Sequence, residues 1–175
     1  MRKNSPFTRL AWKSRIRKEI RAAGRVLVLG IGNPARGDDA AGLVCAKKLR
    51  TLIRGQARSR LKILLGYEAP ENLTGKIRMF DPDVVLILDA AQGPFAPGTV
   101  FFVGKGKIQD EGVSTHKISL ALLVSYLEET IGCKVIVLGI QPQVLALGEN
   151  LSAPVEKAVD LLATYFSHIF LPSGS

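Results

Sequence analysis

Cysteine is nearly missing: Cys45 and Cys133 are the only two in 175 residues, far apart and without C-x-x-C spacing. That excludes a disulfide framework and a thiolate metal knuckle, and both are expected to be reduced, buried small hydrophobes of a cytoplasmic protein. Aromatic residues are also sparse, at 6% of a chain that is 47% hydrophobic. Val, Leu, Ile and Ala must therefore fill the core, which suits buried parallel strands covered by helices. No apolar run approaches the roughly 18 residues that span a bilayer. Met1–Arg21 is studded with basic residues and lacks both the apolar stretch and the cleavage site of a secretory signal.

What the chain does have is an uneven charge. Its net charge is +9, and residues 1–25 hold nine Lys or Arg against Glu19 alone. The remainder is close to neutral, so nucleic-acid binding by the body of the protein is not expected. The division drawn from this is a basic arm over residues 1–24 and one domain over residues 25–170. Trp12, Ile16 and Ile20 recur at i, i+4 and i+8, so the arm is expected either to lay that stripe on the domain as a helix or to remain a flexible extension. Deleting residues 1–22 is expected to leave metal binding intact; collapse of the domain would instead make the arm part of the core.

From Arg25 the pattern changes to short aliphatic runs. Strands are expected at Arg25–Ile31, Leu61–Tyr67, Val84–Leu88, Thr99–Val103 and Cys133–Ile140. Helices are expected from Asp38 to about Ile53, from Lys117 to about Thr130 with Ile118, Leu122 and Tyr126 on its apolar face, and after Ser152 as N-cap with Pro154 in the first turn. Pro70–Met79 reads as a loop or short helix. This alternation predicts a three-layer α/β fold with a mostly parallel sheet between helices. The fourth strand has no helix before it and is expected to pair antiparallel at an edge.

Ligands in open α/β sheets bind beyond the carboxyl ends of the strands. Three segments fall there on this reading: Gly32–Asp39, Asp89–Gly98 and Ser114–His116. Gly30-Ile31-Gly32 begins like a dinucleotide fingerprint, but its next glycine is Gly37, too late for G-x-G-x-x-G. Gly32 to Gly37 has P-loop spacing, yet Asp38-Asp39 stand where Lys-Ser/Thr belongs, and two carboxylates repel a phosphate. A cation site fits better. Asp38 and Asp39 begin a helix, and one of them is expected to cap it. Asp89 follows a wholly apolar strand, and His116 is one of only two histidines. His168, in the apolar last helix, reads as packing or surface. Two carboxylates and one imidazole suit a borderline divalent ion such as nickel or zinc.

A set of motifs in this order resembles the hydrogenase maturation endopeptidases: Gly30-Ile31-Gly32-Asn33, Gly37-Asp38-Asp39-Ala40-Ala41-Gly42, Ala69-Pro70-Glu71-Asn72, Asp89-Ala90-Ala91, Pro97-Gly98, Ser114-Thr115-His116 and Gly139-Ile140-Gln141-Pro142. The likeness spans about residues 25–166, and Gly-Asp-Asp with Pro-Glu-Asn is most similar to the hydrogenase 3 (formate hydrogenlyase) branch. The resemblance implies a five-stranded twisted sheet and removal of a C-terminal peptide from the large-subunit precursor of a nickel–iron hydrogenase after nickel insertion. It implies metal contact and catalysis by Asp39, Asp89 and His116, with nickel arriving on the substrate and zinc or cadmium as stand-ins. A monomer is expected. Three other readings stay open: a chaperone that senses nickel insertion without proteolysis, a nucleotide-binding α/β protein, and a protein whose basic arm anchors it to acidic surfaces. The basic arm departs from the family pattern.

Overall fold

The computed structural model describes residues 7–54, 59–104 and 115–171, with side chains described from Trp12 in the first helix and from Leu120 in the fourth. Helix α1 (Phe7–Ala22) leads into strand β1 (Val26–Ile31), followed by a 3-10 turn at Gly37–Ala40, helix α2 (Ala41–Leu52) and β2 (Leu61–Tyr67). A second 3-10 turn at Pro70–Leu73 runs into α3 (Thr74–Phe80), then β3 (Val84–Ala90) and the short β4 (Val100–Phe102). Helix α4 (Thr115–Tyr126) ends in a π-type turn at Leu127–Ile131, and β5 (Lys134–Ile140) and α5 (Ala153–Phe170) complete the chain. Among the described residues no helix is long and apolar enough to cross a membrane.

The five strands form one sheet in the order β2-β1-β3-β5-β4. All neighbours are parallel except β4, which runs antiparallel to β5 with Val100 opposite Ile140. The edge position and direction expected for the fourth strand are therefore observed. Pleating sorts the central strands by alternation. Val26 and Val28, Val84, Leu86 and Leu88, and Ile136, Leu138 and Ile140 face a core shared with α1, α2 and α5. Leu27, Leu29 and Ile31, with Val85, Ile87 and Val137, face a second core closed by α3 and α4.

Helix α1 contributes to the first core. Trp12, Ile16 and Ile20 are all buried, the edge of Trp12 meets the Tyr165 ring, and the Tyr165 hydroxyl donates to the Lys13 carbonyl at 2.6 Å. The stripe read from the sequence thus lies against the domain.

In α4 the expected face is wrong at Leu122, which is 66% exposed. Tyr126 packs partly buried on the second core as expected, and the Ile118 side chain lies outside the described residues. The fully buried face is Leu120, Leu123, Val124 and Leu127. The helix is apolar nearly all round, so its periodicity does not choose a side; the packing on β3 and β5 does. Both cysteines are buried and free, as expected. Burial raises the Cys45 thiol to about 12 and the Cys133 thiol to about 11, so neither is a nucleophile at neutral pH.

Candidate active site

The strand order reverses between β1 and β3, since the chain leaves β1 toward β2 and returns on the other side. This is the switch point of the sheet, where connections depart in opposite directions and leave a crevice. Asp39 and Asp89 both come to it. Asp89 is the next-to-last residue of β3, paired with Gly139 of β5, so it ends the strand rather than following it. By alternation it falls on the α4 side of the sheet.

Asp39 is brought there by a close approach of α2. Gly42 lies so near β3 that a Cβ on it would stand 2.0 Å from the Leu88 carbonyl oxygen and 2.7 Å from that of Ile31. Only glycine lets the helix start rest on both strand ends. Gly32, at φ +139°, makes the complementary turn; a Cβ there would meet the Asp39 carbonyl oxygen at 1.9 Å. The Asp39 carboxylate accepts a hydrogen bond from the Asn33 amide at 3.0 Å and stays partly open to solvent.

Asp38 does something the sequence reading missed. Its carboxylate does not cap α2; it is fully buried and points into the loop after β5. One oxygen accepts from the amides of Gln143 (2.7 Å) and Val144 (2.8 Å) and from the Ser152 hydroxyl (2.8 Å), and the other accepts from the Ser152 amide (2.7 Å). Burial alone would raise its pKa, but these four donors together hold it below the ordinary value. Ser152 occupies the N-cap position of α5, as expected, yet its side chain serves Asp38 instead of the helix. The main-chain bonds Gly37 N to Glu149 O, Asp38 N to Val144 O and Gly148 N to Ala35 O lock the same two loops together.

Other residues with no role in the sequence reading brace the crevice. The Asn33 side chain donates to Glu68 beyond β2 at 2.7 Å and accepts from the Ala35 amide at 2.8 Å. Gln141, nearly buried, accepts from the Gly93 amide at 2.7 Å and so fixes the loop that follows Asp89. Both stand in motifs named above, and an Asn-Pro turn was a further signal for Asn33; nothing marked Gln141 beyond its motif.

This loop cannot cradle a phosphate. The amides of Asn33 and of residues 35 to 39 are all taken, by Asp39, Asn33, Glu149, Val144 and Arg36, and residue 34 is proline. The nucleotide reading is set aside on that ground, because a P-loop works by offering free N–H groups.

The third expected residue reaches this edge by a different route from the one expected. Strand β4 is antiparallel, so its carboxyl end points to the opposite edge and His116 is not delivered by it. Instead α4 returns to the amino end of β5, and its length of about 25 Å, counted with the π-type turn, puts its first turn at the carboxyl edge. Consistent with this, α4 packs against the Pro70–Leu73 turn beyond β2. The His116 backbone lies in that first turn; its side chain, like Ser114 as a whole, falls outside what is described. Among the described residues no three His, Cys, Asp or Glu side chains converge at metal distance. His168 is exposed on α5, away from the crevice.

The switch-point crevice therefore brings two carboxylate-bearing segments together and offers no phosphate cradle. The hydrogenase maturation protease family profile matches residues 45–167. The hydrogenase 3 maturation protease of Escherichia coli K12 is 33% identical over 135 residues, covering 77% of this chain and 83% of that protein. The crystal structure of the NiFe hydrogenase maturation protease HycI from Thermococcus kodakarensis superposes with a TM-score of 0.80 at 32% identity, covering 89% of this chain and 97% of that one. The hydrogenase maturating endopeptidase HybD of Escherichia coli follows with a TM-score of 0.67 at 26% identity, covering 81% and 89%. The chain belongs to the hydrogenase maturation protease family and is a peptidase.

Proposed function

We propose that the protein removes the C-terminal peptide from the large-subunit precursor of a nickel–iron hydrogenase once nickel has been inserted. The observation that carries this reading is the meeting, at one switch point, of the Asp39 turn and the Asp89 strand end in a chain of this protease family. Nickel here is part of the substrate. Asp39 and Asp89 supply carboxylate oxygens to it and His116 an imidazole nitrogen, a donor set that zinc or cadmium also satisfies. Docking the ion holds the adjoining peptide bond at the crevice, so recognition of the loaded precursor becomes effective concentration of the scissile bond.

Hydrolysis then needs a water oxygen to attack the carbonyl carbon, the C–N bond to break, and a proton to reach the leaving amine. A carboxylate of the pair takes the water proton as general base and returns it, as an aspartyl-type endopeptidase requires. The bound ion polarises the carbonyl or lowers the pKa of the water. All three side chains come from one chain, so a cytoplasmic monomer suffices, and the site needs no nucleic acid.

The test is mass spectrometry of a nickel-loaded precursor incubated with the protein. Loss of a C-terminal peptide supports the reading; metal-dependent association without cleavage would favour a nickel-sensing chaperone instead. His116→Ala should abolish trimming while leaving the thermal melt unchanged, and a variant that still trims would remove His116 from the site.

A further inference from the structure

We infer that the outer face of α1 is a docking trough for an acidic polypeptide segment. Lys13, Arg17 and Arg21 stand at i, i+4 and i+8, flanking the stripe of Trp12, Ile16 and Ile20 that enters the core, with Ser14 and Lys18 on the solvent side of them. Together with Tyr165 and Ala22 they line an open trough of about 720 Å³. The helix's own carboxylate, Glu19, is spent on Lys134 at 2.6 Å. Among the described residues no ion pair places a carboxylate on Lys13, Arg17, Lys18 or Arg21.

Two of these cations are held in place. Lys13 lies 5.4 Å and Arg17 5.8 Å from the centroid of the Tyr165 ring. Tyr165 is itself fixed by its bond to the Lys13 carbonyl. Rigid cations lose little side-chain entropy on binding, which is what separates a recognition surface from a merely solvated one.

The shape selects among anionic partners. Cations four apart on a helix are about 6 Å apart along its axis, close to the roughly 6.8 Å between alternate side chains of an extended chain. A segment with acidic residues at every second position therefore matches the row. A bilayer is flat, whereas these groups line a concavity, and the apolar face that would insert is already buried. Single-stranded nucleic acid needs free aromatic faces for stacking, and here Trp12 is buried while Tyr165 is covered by Lys13 and Arg17.

The trough runs the length of the domain: its Lys13 end lies beside Pro97, Gly98 and Thr99, in the loop that follows Asp89. Arg21 and Val26 line a neighbouring hollow at the amino end of β1, the edge opposite Asp39 and Asp89. A partner held here leaves the crevice open and raises its own concentration beside it. The inference does not depend on the proteolytic reading.

The probe is a fluorescein-labelled peptide of ~10 residues alternating Glu and Ser, titrated by anisotropy with the full chain at low and at physiological salt. Binding should weaken with salt, and Arg17→Gln with Arg21→Gln should weaken it by about tenfold or more. Because Arg17 touches Tyr165, the pair Lys18→Gln with Arg21→Gln provides a second variant whose fold does not depend on that contact. Wild-type peptide affinity in a folded double variant overturns the inference. So does tighter binding, at equal salt, to phosphatidylserine vesicles or to a single-stranded oligonucleotide than to the peptide.

Discussion

Replacing Asp38 by asparagine keeps the size of the side chain but removes its charge and turns one acceptor oxygen into a donor. In the wild type all four hydrogen bonds run toward the carboxylate, three from backbone amides and one from the Ser152 hydroxyl, at 2.7 to 2.8 Å. The amide NH2 must face at least one of those donors, and the other bonds lose their charge assistance. A charged hydrogen bond contributes about 1.5–3 kcal/mol, and a buried donor left unmade costs about 1–3 kcal/mol. With partial relaxation of an exposed loop, the net loss is about 3–5 kcal/mol, the range found when a buried charged network is broken. At about 2–4 °C per kcal/mol for a domain of this size, the melt should fall by roughly 6–20 °C. Thermal melts across pH form the assay. The folded pKa of Asp38 is depressed, so its contribution is fully present above the unfolded value near 3.9 and is lost as pH falls through the lower folded value. The gap between wild type and Asp38→Asn should therefore be full at neutral pH and close in strong acid. Amide exchange should accelerate at Gln143, Val144 and Ser152 in the variant. A melt at pH 7 within about 1 °C of wild type would refute the clamp.

Three further outcomes follow from packing. Deleting residues 1–22 removes Trp12, Ile16 and Ile20 from the core, a loss of about 5–8 kcal/mol against a total of about 5–15; circular dichroism should show a largely unfolded chain, contrary to the view of the arm as a dispensable extension. Gly42→Ala puts a methyl against the Leu88 carbonyl, and urea unfolding should register a cost of about 3 kcal/mol or more. Leu122→Ala should shift stability by about 0.5 kcal/mol or less, whereas Leu123→Ala should cost about 2–5 kcal/mol; equal effects would mean that α4 is rotated from the orientation described.

How much of this was legible depended on whether a short stretch of sequence determines the feature. The parallel strands were, because Val26–Ile31 and Val84–Leu88 are aliphatic runs that only a doubly covered sheet can bury. The crevice at their ends was, because a carboxylate directly after such a run has one place to go. The buried face of α4 was not: a helix apolar on every side takes its orientation from its neighbours. Nor was the route by which His116 reaches the carboxyl edge, since that is set by where α4 rejoins the sheet at β5 and not by the strand before it. The partners of Asp38 lie more than a hundred residues away, at Gln143, Val144 and Ser152, so no local rule distinguishes its role from a helix cap.

That distance explains why two adjacent aspartates are not interchangeable. In a 3-10 turn successive side chains are about 120° apart, so one carboxylate of the Gly37–Ala40 turn can face the protein while the next faces the crevice. Asp38 takes the inward position, fully buried and held by four donors, which keeps it from a substrate. Asp39 accepts one described bond, from the Asn33 amide, and is partly open to solvent, so it keeps lone pairs for a ligand. The inward bonds fix the turn against the loop after β5, and the outward carboxylate inherits that rigidity without being consumed by it. Asp38→Asn should therefore weaken catalysis by loosening Asp39, and its loss should be recovered in part at lower temperature. Asp39→Asn should lose activity at every temperature with the melt unmoved. Parallel temperature profiles of peptide release for the two variants would contradict this division of labour.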